Sequence, residues 1–336
     1  MDEADVPFVL PVFLGTNWAC LNWNANISPV VLTDENKRIL SLIDGRKSFT
    51  DLREFGVTPS AVQPLVEQGC VMLLKTEVPS GKREKWLVLS PHSDDAALSI
   101  GGILDRYCKS VHVEVLTLTG PSRCSGTCAP LYGNVDAVTA IRKEEDTFYG
   151  KHIGCSVSCA DIEDGELYVD GDGVRWCEKI MSPPDKYRID LFKTSLKSFL
   201  LSGEMPARIF CPMSVGAHFD HAATHIAFDA LIPDIHAASP GTRMFFYEDL
   251  PYSQHDTEAL HARIKEFTSI KPYLVPIDID RKLMGVSIYR SQYTEKEISS
   301  DLFNYSTKIS DGAGGHFERV WEKELGPTNN ETIAFY

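Results

Sequence analysis

Apolar runs and amphipathic segments alternate along the chain from about residue 86 to residue 248. The apolar runs predict strands at 86–90, 111–119, 156–162, 208–212 and 243–248. The amphipathic segments predict helices at 96–107, 135–152, 188–201 and 222–231. Near-continuous apolar strands that alternate with helices are typical of a parallel sheet covered on both faces. The pattern therefore predicts an α/β protein with a Rossmann-like, mostly parallel sheet and helices on both faces.

A different pattern precedes this region, in which three short helices come before one strand. Thr33 and Thr58 are typical helix N-caps, and Pro59 suits the first position of the helix after Thr58. A further short helix is predicted at 49–55 and a strand at 71–75. This order resembles that of a winged-helix module or a small peptide-carrier domain.

The charged segment VPSGKREK at 78–85 separates the two patterns and has the composition of a linker. We predict a winged-helix-like module at 1–80 and an α/β domain at 81–336. Between residues 30 and 80 there are six Lys or Arg and seven Asp or Glu, whereas a DNA-reading module carries a basic face. A packing, dimerisation or substrate-lid role is therefore favoured, with recognition of another macromolecule as the alternative.

Composition is typical of a folded, water-soluble protein, with 43% hydrophobic and 24% charged residues among 336. The net charge of −14 disfavours nucleic acid and anionic membranes as partners, so a small neutral or cationic substrate is expected. No basic region precedes the short N-terminal apolar run, and no stretch reaches the roughly 18 apolar residues of a membrane span. We expect a cytoplasmic protein, because nine cysteines in so long a chain do not indicate a disulfide scaffold.

The first chemical motif is LSPHSDDAALSIGG at 89–102, where the first strand of the α/β domain ends. His92, Asp94 and Asp95 are therefore expected beyond the sheet edge, where parallel-sheet proteins bind ligands. Imidazole and carboxylate groups are common zinc ligands, and a further carboxylate can serve as a base. The alternative is that the two aspartates cap the following helix.

The second motif is PMSVGAHFDHAATH at 212–225, which again joins a strand to a helix. It places His218, Asp220 and His221 beyond another strand end. Because such strand ends meet at one edge of a parallel sheet, we expect the two motifs to form one site. Three protein ligands with an open position are typical of a catalytic zinc, and two unrelated solvated clusters are the alternative.

Both motifs resemble those of the PIG-L (LmbE-like) N-deacetylase family. PHSDDAALSIGG is similar to the PHPDDE-type motif of that family, and GAHFDH is similar to its HPDH-type motif. Three lesser features agree in order and spacing, namely Arg142 with Glu145, YEDLPY at 247–252 and YRSQ at 289–292. The similarity extends from Trp86 to Gln292 and leaves the N-terminal module outside.

The resemblance implies that His92, Asp95 and His221 bind a divalent metal. This metal is usually zinc in the family, and another divalent ion such as Fe²⁺ is the alternative. Three positions depart from the family pattern without removing a ligand, namely Ser93, Ala96 and Phe219. Loss of a carboxylate at Ala96 is expected to affect the support of the metal more than the identity of its ligands.

The resemblance also implies three catalytic roles. Asp94 matches the base that takes a proton from the metal-bound water. His218 matches the histidine that polarises or protonates the tetrahedral intermediate. Asp220 is expected to orient His218 and, as a neighbouring carboxylate, to raise its pKa so that it stays charged.

Substrate contacts are expected from Arg142, Glu248 and Asp249. For Arg142 the alternative is a solvated helix face, and for the two acidic residues it is a capping or structural role. The loops Ser122–Asn134 and Ala160–Tyr187 are long and follow strand ends. Long loops in compact domains are usually functional, so we predict that they form the specificity walls of the pocket.

Two C-x3-C pairs, Cys124 with Cys128 and Cys155 with Cys159, offer four thiolates for a structural zinc. Their spacing departs from the usual C-x2-C. In a strand, side chains at i and i+4 lie on one face but about 13 Å apart. Small buried cysteines are the favoured interpretation, and a redox or metal role is left open.

The motifs and the resemblance together predict a zinc-dependent amide hydrolase that removes acetyl from an N-acetylglucosaminyl or related amino-sugar conjugate. We expect this reaction to belong to natural-product, glycolipid or low-molecular-weight thiol biosynthesis. The first alternative is an amidase that cleaves a larger acyl amide, since the zinc chemistry is indifferent to the acyl group. The second is a non-catalytic metal-binding interaction protein. A homo-oligomer is compatible with each.

Overall fold

The computed structural model describes residues 6–9, 12–14, 18–21, 30–43, 47–68, 70–74, 83–127, 134–169, 183–293, 295–310, 312 and 314–324. The N-terminal elements are β1 (Val6–Val9), β2 (Val12–Leu14), β3 (Trp18–Leu21), β4 (Val30–Val31), α1 (Asp34–Leu42), α2 (Phe49–Leu52), α3 (Pro59–Glu67) and β5 (Val71–Leu74). The elements that follow are β6 (Lys85–Ser90), α4 (Asp95–Tyr107), β7 (His112–Thr119), α5 (Val135–Ile153), β8 (Ser156–Ile162), α6 (Lys186–Leu201), β9 (Arg208–Pro212), α7 (Phe219–Asp229), α8 (Ile232–Ala238), β10 (Arg243–Tyr247), α9 (Tyr252–His255), α10 (Thr257–Glu266), β11 (Ile270–Pro276), α11 (Ile279–Val286), α12 (Glu295–Lys308) and β12 (Phe317–Lys323).

The N-terminal part contains the helices that the capping residues predicted. Thr33 accepts a hydrogen bond from the Asn36 backbone at 3.1 Å, and Thr58 accepts one from the Ala61 backbone at 3.3 Å. These contacts confirm both N-caps. β1 pairs antiparallel with β5, and β2, β3 and β4 form a small antiparallel sheet that the sequence pattern did not predict. The division into two domains at residue 80 stays a prediction.

A seven-stranded sheet forms the centre of the α/β part, with the strand order β11-β12-β10-β9-β6-β7-β8. The five strands from β10 to β8 in this order are parallel, and β12 runs antiparallel to both of its neighbours. The mostly parallel sheet predicted from the sequence is therefore confirmed. No helix in the described ranges is both long and apolar enough to span a bilayer.

Hydrophobic cores lie on both faces of this sheet. Val88 of β6 packs into the core beneath α4, α5, α11 and α12, whereas its neighbour Leu89 packs into the core beneath α6, α7, α8 and α10. Alternation along the strand supplies one apolar side chain to each face. This double coverage buries the central strands and leaves their carboxyl ends as the accessible edge.

The elements after β10 were not predicted from the sequence. In β11 and β12 buried residues are interspersed with exposed and half-buried ones. These strands lie at one side of the sheet, where solvent reaches part of their surface. They therefore lack the continuous apolar run that identified the central strands.

A buried ion pair ties β12 to an interruption in α4. Ile100 has non-helical φ and ψ of −132° and 20°. Beyond this break, Glu318 accepts hydrogen bonds from the backbone of Gly102 at 3.0 Å and of Ile103 at 2.7 Å. Lys282 Nζ lies 2.6 Å from Glu318 Oε1, and both side chains are buried. Glu318 thus supplies acceptors to the second half of the helix that begins at the first motif.

Glu318→Ala is expected to lower the free energy of unfolding by about 3 to 5 kcal/mol, because it leaves Lys282 buried and unpaired. Urea unfolding followed by circular dichroism measures the change. Glu266→Ala is the control, since it removes a partly exposed ion pair with Arg263 that contributes at most about 1 kcal/mol. Equal losses in the two variants would contradict the prediction.

Candidate active site

The β6–α4 turn carries the first motif and leaves its carboxylates free for the site. Ser90 Oγ accepts a hydrogen bond from the Ala96 backbone at 3.1 Å and donates one to the His92 carbonyl at 2.6 Å. Asp94 occupies the N-cap position of α4 without a side-chain capping hydrogen bond. Asp95 Oδ2 accepts the His92 backbone N–H at 2.7 Å. Capping of α4 by the Asp94 side chain, the alternative raised by the sequence, is therefore wrong.

The β9–α7 turn carries the second motif and contains two left-handed backbone positions. Ser214 has a φ of 65° and Gly216 a φ of 80°. Glycine is required at the second position, because a Cβ would also lie 3.1 Å from Tyr252 Cβ. His218 precedes α7 and makes no capping hydrogen bond with its side chain. The turn brings this histidine against the first motif, with 4.9 Å between its ring centroid and that of His92.

The three predicted metal ligands lie together. Asp95 Oδ2 is 3.1 Å from His92 Nδ1 and 3.2 Å from His221 Nε2. Ligand atoms at roughly 2.0–2.2 Å from a tetrahedral ion are about 3.3 Å apart, so this set fits a divalent metal. Ligand atoms of His92, His218 and His221 also lie within 4.8 Å of one another. His218 is therefore beside the ion position as well.

Each histidine of the predicted ligand set contacts a second carboxylate in addition to Asp95. Asp249 Oδ1 lies 2.6 Å from His221 Nδ1, and its other oxygen accepts a backbone N–H of the β9–α7 turn at 2.9 Å. Asp220 Oδ2 lies 3.2 Å from His92 Nε2. Such carboxylates fix the orientation of metal-binding imidazoles. In this structure Asp220 contacts His92, and its expected role in orienting His218 stays a prediction.

Burial disfavours the charged form of each of the three predicted ligands, but interactions with oppositely charged neighbours outweigh the effect of burial. Burial raises the pKa of Asp95, yet His221 and His92 bring it well below its ordinary value. Burial lowers the pKa of His221, yet Asp95 and Asp249 raise it to about 9. The pKa of His92 is likewise well above its ordinary value, because Asp220 and Asp95 outweigh burial. An incoming cation therefore competes with protons for these imidazoles.

Asp94 is a buried carboxylate next to the ligands. Burial and the neighbouring Asp95 raise its pKa, while Arg142, with Nη2 at 3.8 Å from Asp94 Oδ1, opposes the shift. Arg142 Nη1 donates to Ser122 Oγ at 3.0 Å and lies 3.4 Å from Asp164 Oδ2. Since Arg142 is buried in this network, the alternative of a solvated helix face is wrong.

His218 differs from the expectation in its charge. Burial, His92 and His221 lower its pKa to about 3, and Asp220 opposes them only in part. The imidazole is therefore neutral near pH 7, whereas a charged His218 had been expected. A neutral imidazole still offers one N–H donor.

Helix α5 connects the site to the YRSQ segment at 289–292. Glu145 accepts hydrogen bonds from the backbone and the hydroxyl of Ser291, at 2.8 and 2.7 Å. Asp146 accepts one from the Tyr289 hydroxyl at 3.0 Å. Burial raises the pKa of both carboxyl groups to about 7. The lesser sequence features on α5 and at YRSQ therefore belong to one structural unit.

Glu248 and Asp249 were expected to contact substrate, and the structure corrects both assignments. Glu248 is buried against α12 and β12, where it accepts hydrogen bonds from Arg319 Nε at 2.5 Å, Trp321 Nε1 at 2.8 Å and the Tyr305 hydroxyl. Both oxygens of Asp249 hold the second motif instead. Glu248 thus supports the fold, and Asp249 supports the predicted metal ligand His221.

The described parts of the two long loops reach the site. Ser122 of the first loop contacts the buried arginine of α5, and the Gly165 backbone of the second donates to Asp220 Oδ2 at 2.9 Å. Residues 128–133 and 170–182 of these loops lie outside the described residues. The role of the loops as specificity walls stays a prediction.

Three site residues were not found by sequence reasoning, namely Arg188, Tyr252 and Tyr293. Tyr252 packs edge-on against His221 at a centroid distance of 5.5 Å, and Tyr293 lies close to Asp94. Tyr252 is the last residue of YEDLPY, and Tyr293 directly follows YRSQ. Their positions beside these two features could have identified both tyrosines as site residues. Arg188 begins a predicted helix and carried no such signal.

The cysteine pairs do not contribute to an ion site within the described ranges, where the candidate ligand groups consist of His and Asp. Cys155 is buried before β8, while Cys159 and Cys124 are half-buried. Burial raises the pKa of Cys124 to about 12 and of Cys159 to about 11, so both are thiols. Cys128 lies outside the described residues.

Residues 87–232 match a family model described as PIG-L: GlcNAc-PI de-N-acetylase. This segment is a PIG-L domain. The match confirms the family that the two motifs predicted, and it covers both of them together with Arg142. Asp249, which contacts His221, lies outside the matched segment 87–232.

The proteins similar to this chain include deacetylases. The 2'-N-acetylparomamine deacetylase of Streptomyces fradiae is 26% identical over 265 residues, which are 71% of this chain and 90% of the relative. Among solved structures, the zinc-inhibited form of teicoplanin deacetylase has a TM-score of 0.56 at 20% identity, covering 71% of this chain and 97% of that one. N,N'-diacetylchitobiose deacetylase from Pyrococcus horikoshii has a TM-score of 0.50 at 19% identity, covering 73% and 88%. The structural likeness confirms the fold.

Asp249→Asn is expected to weaken zinc binding by about 10- to 100-fold, because the His221 ring loses its negatively charged acceptor. Competition with a chromophoric chelator on stripped and reloaded protein measures the affinity. Glu248→Gln is the matched control, since the neighbouring carboxylate faces α12 and β12 and its substitution should leave zinc affinity unchanged. A normal affinity in Asp249→Asn would refute this support role.

Asp146→Asn is expected to stabilise the metal-free protein by about 1 to 3 kcal/mol at pH 8 and to have little effect at pH 4. Since the folded pKa of about 7 exceeds that of an unfolded Asp, wild-type stability falls as the pH rises between the two values. Urea unfolding at both pH values tests the difference. Glu204→Gln, in an exposed loop, is the control, and a pH-independent effect of Asp146→Asn would contradict the prediction.

Proposed function

We propose that this protein is a zinc-dependent N-deacetylase that hydrolyses the acetamide of an amino-sugar conjugate. The observation that carries the proposal is the buried Asp94 carboxylate beside three ligand atoms spaced for a divalent ion. The likeness to 2'-N-acetylparomamine deacetylase supports an amino-sugar substrate. A cytoplasmic location and a homo-oligomer stay predictions.

His92, Asp95 and His221 would hold the ion. When bound, zinc polarises the amide carbonyl and acidifies a water molecule at its open position. Two neutral imidazoles and one carboxylate leave a net positive charge at the site, which favours attack on a carbonyl. The solved zinc-inhibited form of teicoplanin deacetylase supports binding of a divalent metal without identifying the ion, so zinc is proposed here with Fe²⁺ as the alternative.

Asp94 acts as the base of the reaction. Its raised pKa makes it a better proton acceptor than an ordinary carboxylate, while Arg142 favours its ionised form. Asp94 takes a proton from the attacking water and passes it to the leaving nitrogen.

His218 acts as a neutral hydrogen-bond donor. Its ring centroid lies 4.9 Å from that of His92 and 5.1 Å from that of His221, beside the ion position. From there its N–H stabilises the negative charge that develops on the carbonyl oxygen during attack. Water thus contributes oxygen to the acetate product and a proton to the free amine.

Asp94→Asn is expected to lower turnover by about 10²- to 10⁴-fold without changing zinc affinity, because it removes a base and no ligand. His221→Ala should abolish both zinc binding and turnover. Amine release from 2'-N-acetylparomamine and N,N'-diacetylchitobiose, followed with a fluorogenic amine reagent, measures turnover. His255→Ala, at an exposed histidine, should change neither property.

Other outcomes would replace the proposal. Cleavage of longer acyl amides without cleavage of acetamides would identify an amidase. Tight zinc binding without hydrolysis of any amide would favour a metal-binding interaction protein. Failure to bind zinc would contradict the assignment of the ligands.

A further inference from the structure

Arg188 lies in the first turn of α6, outside both motifs, and is completely buried behind the predicted metal site. Its Nε and Nη2 donate to Asp220 Oδ1, at 3.1 and 2.5 Å, and Nη2 also donates to the Glu163 carbonyl at 2.6 Å. The guanidinium carbon is 5.1 Å from the ring centroid of Tyr168 and 4.8 Å from that of Phe192. These contacts form an ion pair from which water is excluded.

The other oxygen of Asp220 faces the metal site. Oδ2 lies 3.2 Å from His92 Nε2 and accepts the Gly165 backbone N–H at 2.9 Å. His92 Nδ1, on the far side of the ring, lies 3.1 Å from Asp95 Oδ2. An imidazole binds a cation through an unprotonated nitrogen, so a proton on Nε2 leaves Nδ1 available.

We propose that Arg188 is a positioning residue for the metal site that acts on His92 through Asp220. The guanidinium fixes the Asp220 carboxylate in one orientation, in which Oδ2 faces His92 Nε2. His92 then carries its proton on Nε2 and directs the Nδ1 lone pair towards Asp95 and the ion. This inference rests on the metal site of the proposed function, but not on which amide is hydrolysed.

A purely structural ion pair is the competing explanation. Buried ion pairs often stabilise a fold no better than apolar residues of similar size. The surroundings of Arg188 would accept an apolar side chain, since they include the rings of Tyr168, Phe192 and Phe219. The charge of Arg188 is directed at Asp220, which in turn contacts a predicted metal ligand.

A double-mutant cycle on zinc affinity tests the inference, with Arg188→Met and Asp220→Asn made separately and together. Each single substitution is expected to weaken zinc binding by about 10- to 100-fold, and the double variant to weaken it no further. Losses that multiply in the double variant would overturn the proposal, because the two residues would then act independently. Unchanged affinity in Arg188→Met would overturn it as well.

Arg188→Lys is a second variant, because loss of one partner of a buried ion pair can unfold the chain. Lysine keeps the charge but lacks the guanidinium fork, so we expect an affinity between those of wild type and Arg188→Met. A folded Arg188→Lys that binds zinc no better than Arg188→Met would count against the proposal. Arg243→Met, which removes a partner of Glu322 on β12, is the control and should leave zinc affinity unchanged.

A spectroscopic readout separates positioning from stability. In zinc-saturated, ¹⁵N-labelled protein, the proton of His92 is expected on Nε2 and protected from exchange. Arg188→Met should lose this protected signal, whereas a structural role would change only the unfolding free energy. Because both readouts follow metal binding and not hydrolysis, failure of every tested acetamide as a substrate would leave this inference intact.

Discussion

The site depends on one electrostatic arrangement, the enclosure of a buried carboxylate, Asp95, between two imidazoles. Buried polar groups are costly unless they are paired, and Asp95 Oδ2 lies 3.1 Å from His92 Nδ1 and 3.2 Å from His221 Nε2. Their geometry is held from outside by two further carboxylates, Asp220 and Asp249. These are held in turn by Arg188 and by backbone N–H groups. Each of the three carboxylates therefore contacts at least one imidazole of the predicted ligand set.

The parallel sheet makes this arrangement possible, because neighbouring strands bring distant parts of the chain to one edge. The two motifs follow β6 and β9, which are adjacent, and Asp249 follows β10, the next strand. Loops after β7 and β8 add Ser122 and Asp164, which surround the arginine beside Asp94. Five consecutive strands thus contribute to a single site. The antiparallel β12 supports it from a distance through its contacts with α4 and with Glu248.

In the proposed hydrolase, burial gives Asp94 and His218 different roles in the reaction. The same burial that raises the pKa of Asp94 lowers that of His218, so the carboxylate gains affinity for a proton and the imidazole loses it. This favours Asp94 for both proton transfers and leaves His218 as a neutral donor. From the sequence, His218 was expected to be charged because of the neighbouring Asp220 carboxylate. The structure adds His92 and His221, which disfavour a positive charge on His218.

The sequence by itself determined the α/β class, the central strands, the two motifs and the family, because apolar periodicity and short motifs are local properties of the chain. By resemblance it also implied His92, Asp95 and His221 as the ligand set, and in the structure Asp95 lies beside both histidines. Only the tertiary structure decided which carboxylate supports which histidine, that Glu248 turns towards β12, and that Arg188 belongs behind the site. These outcomes depend on side-chain direction, long-range contact and exclusion of water, none of which residue spacing encodes.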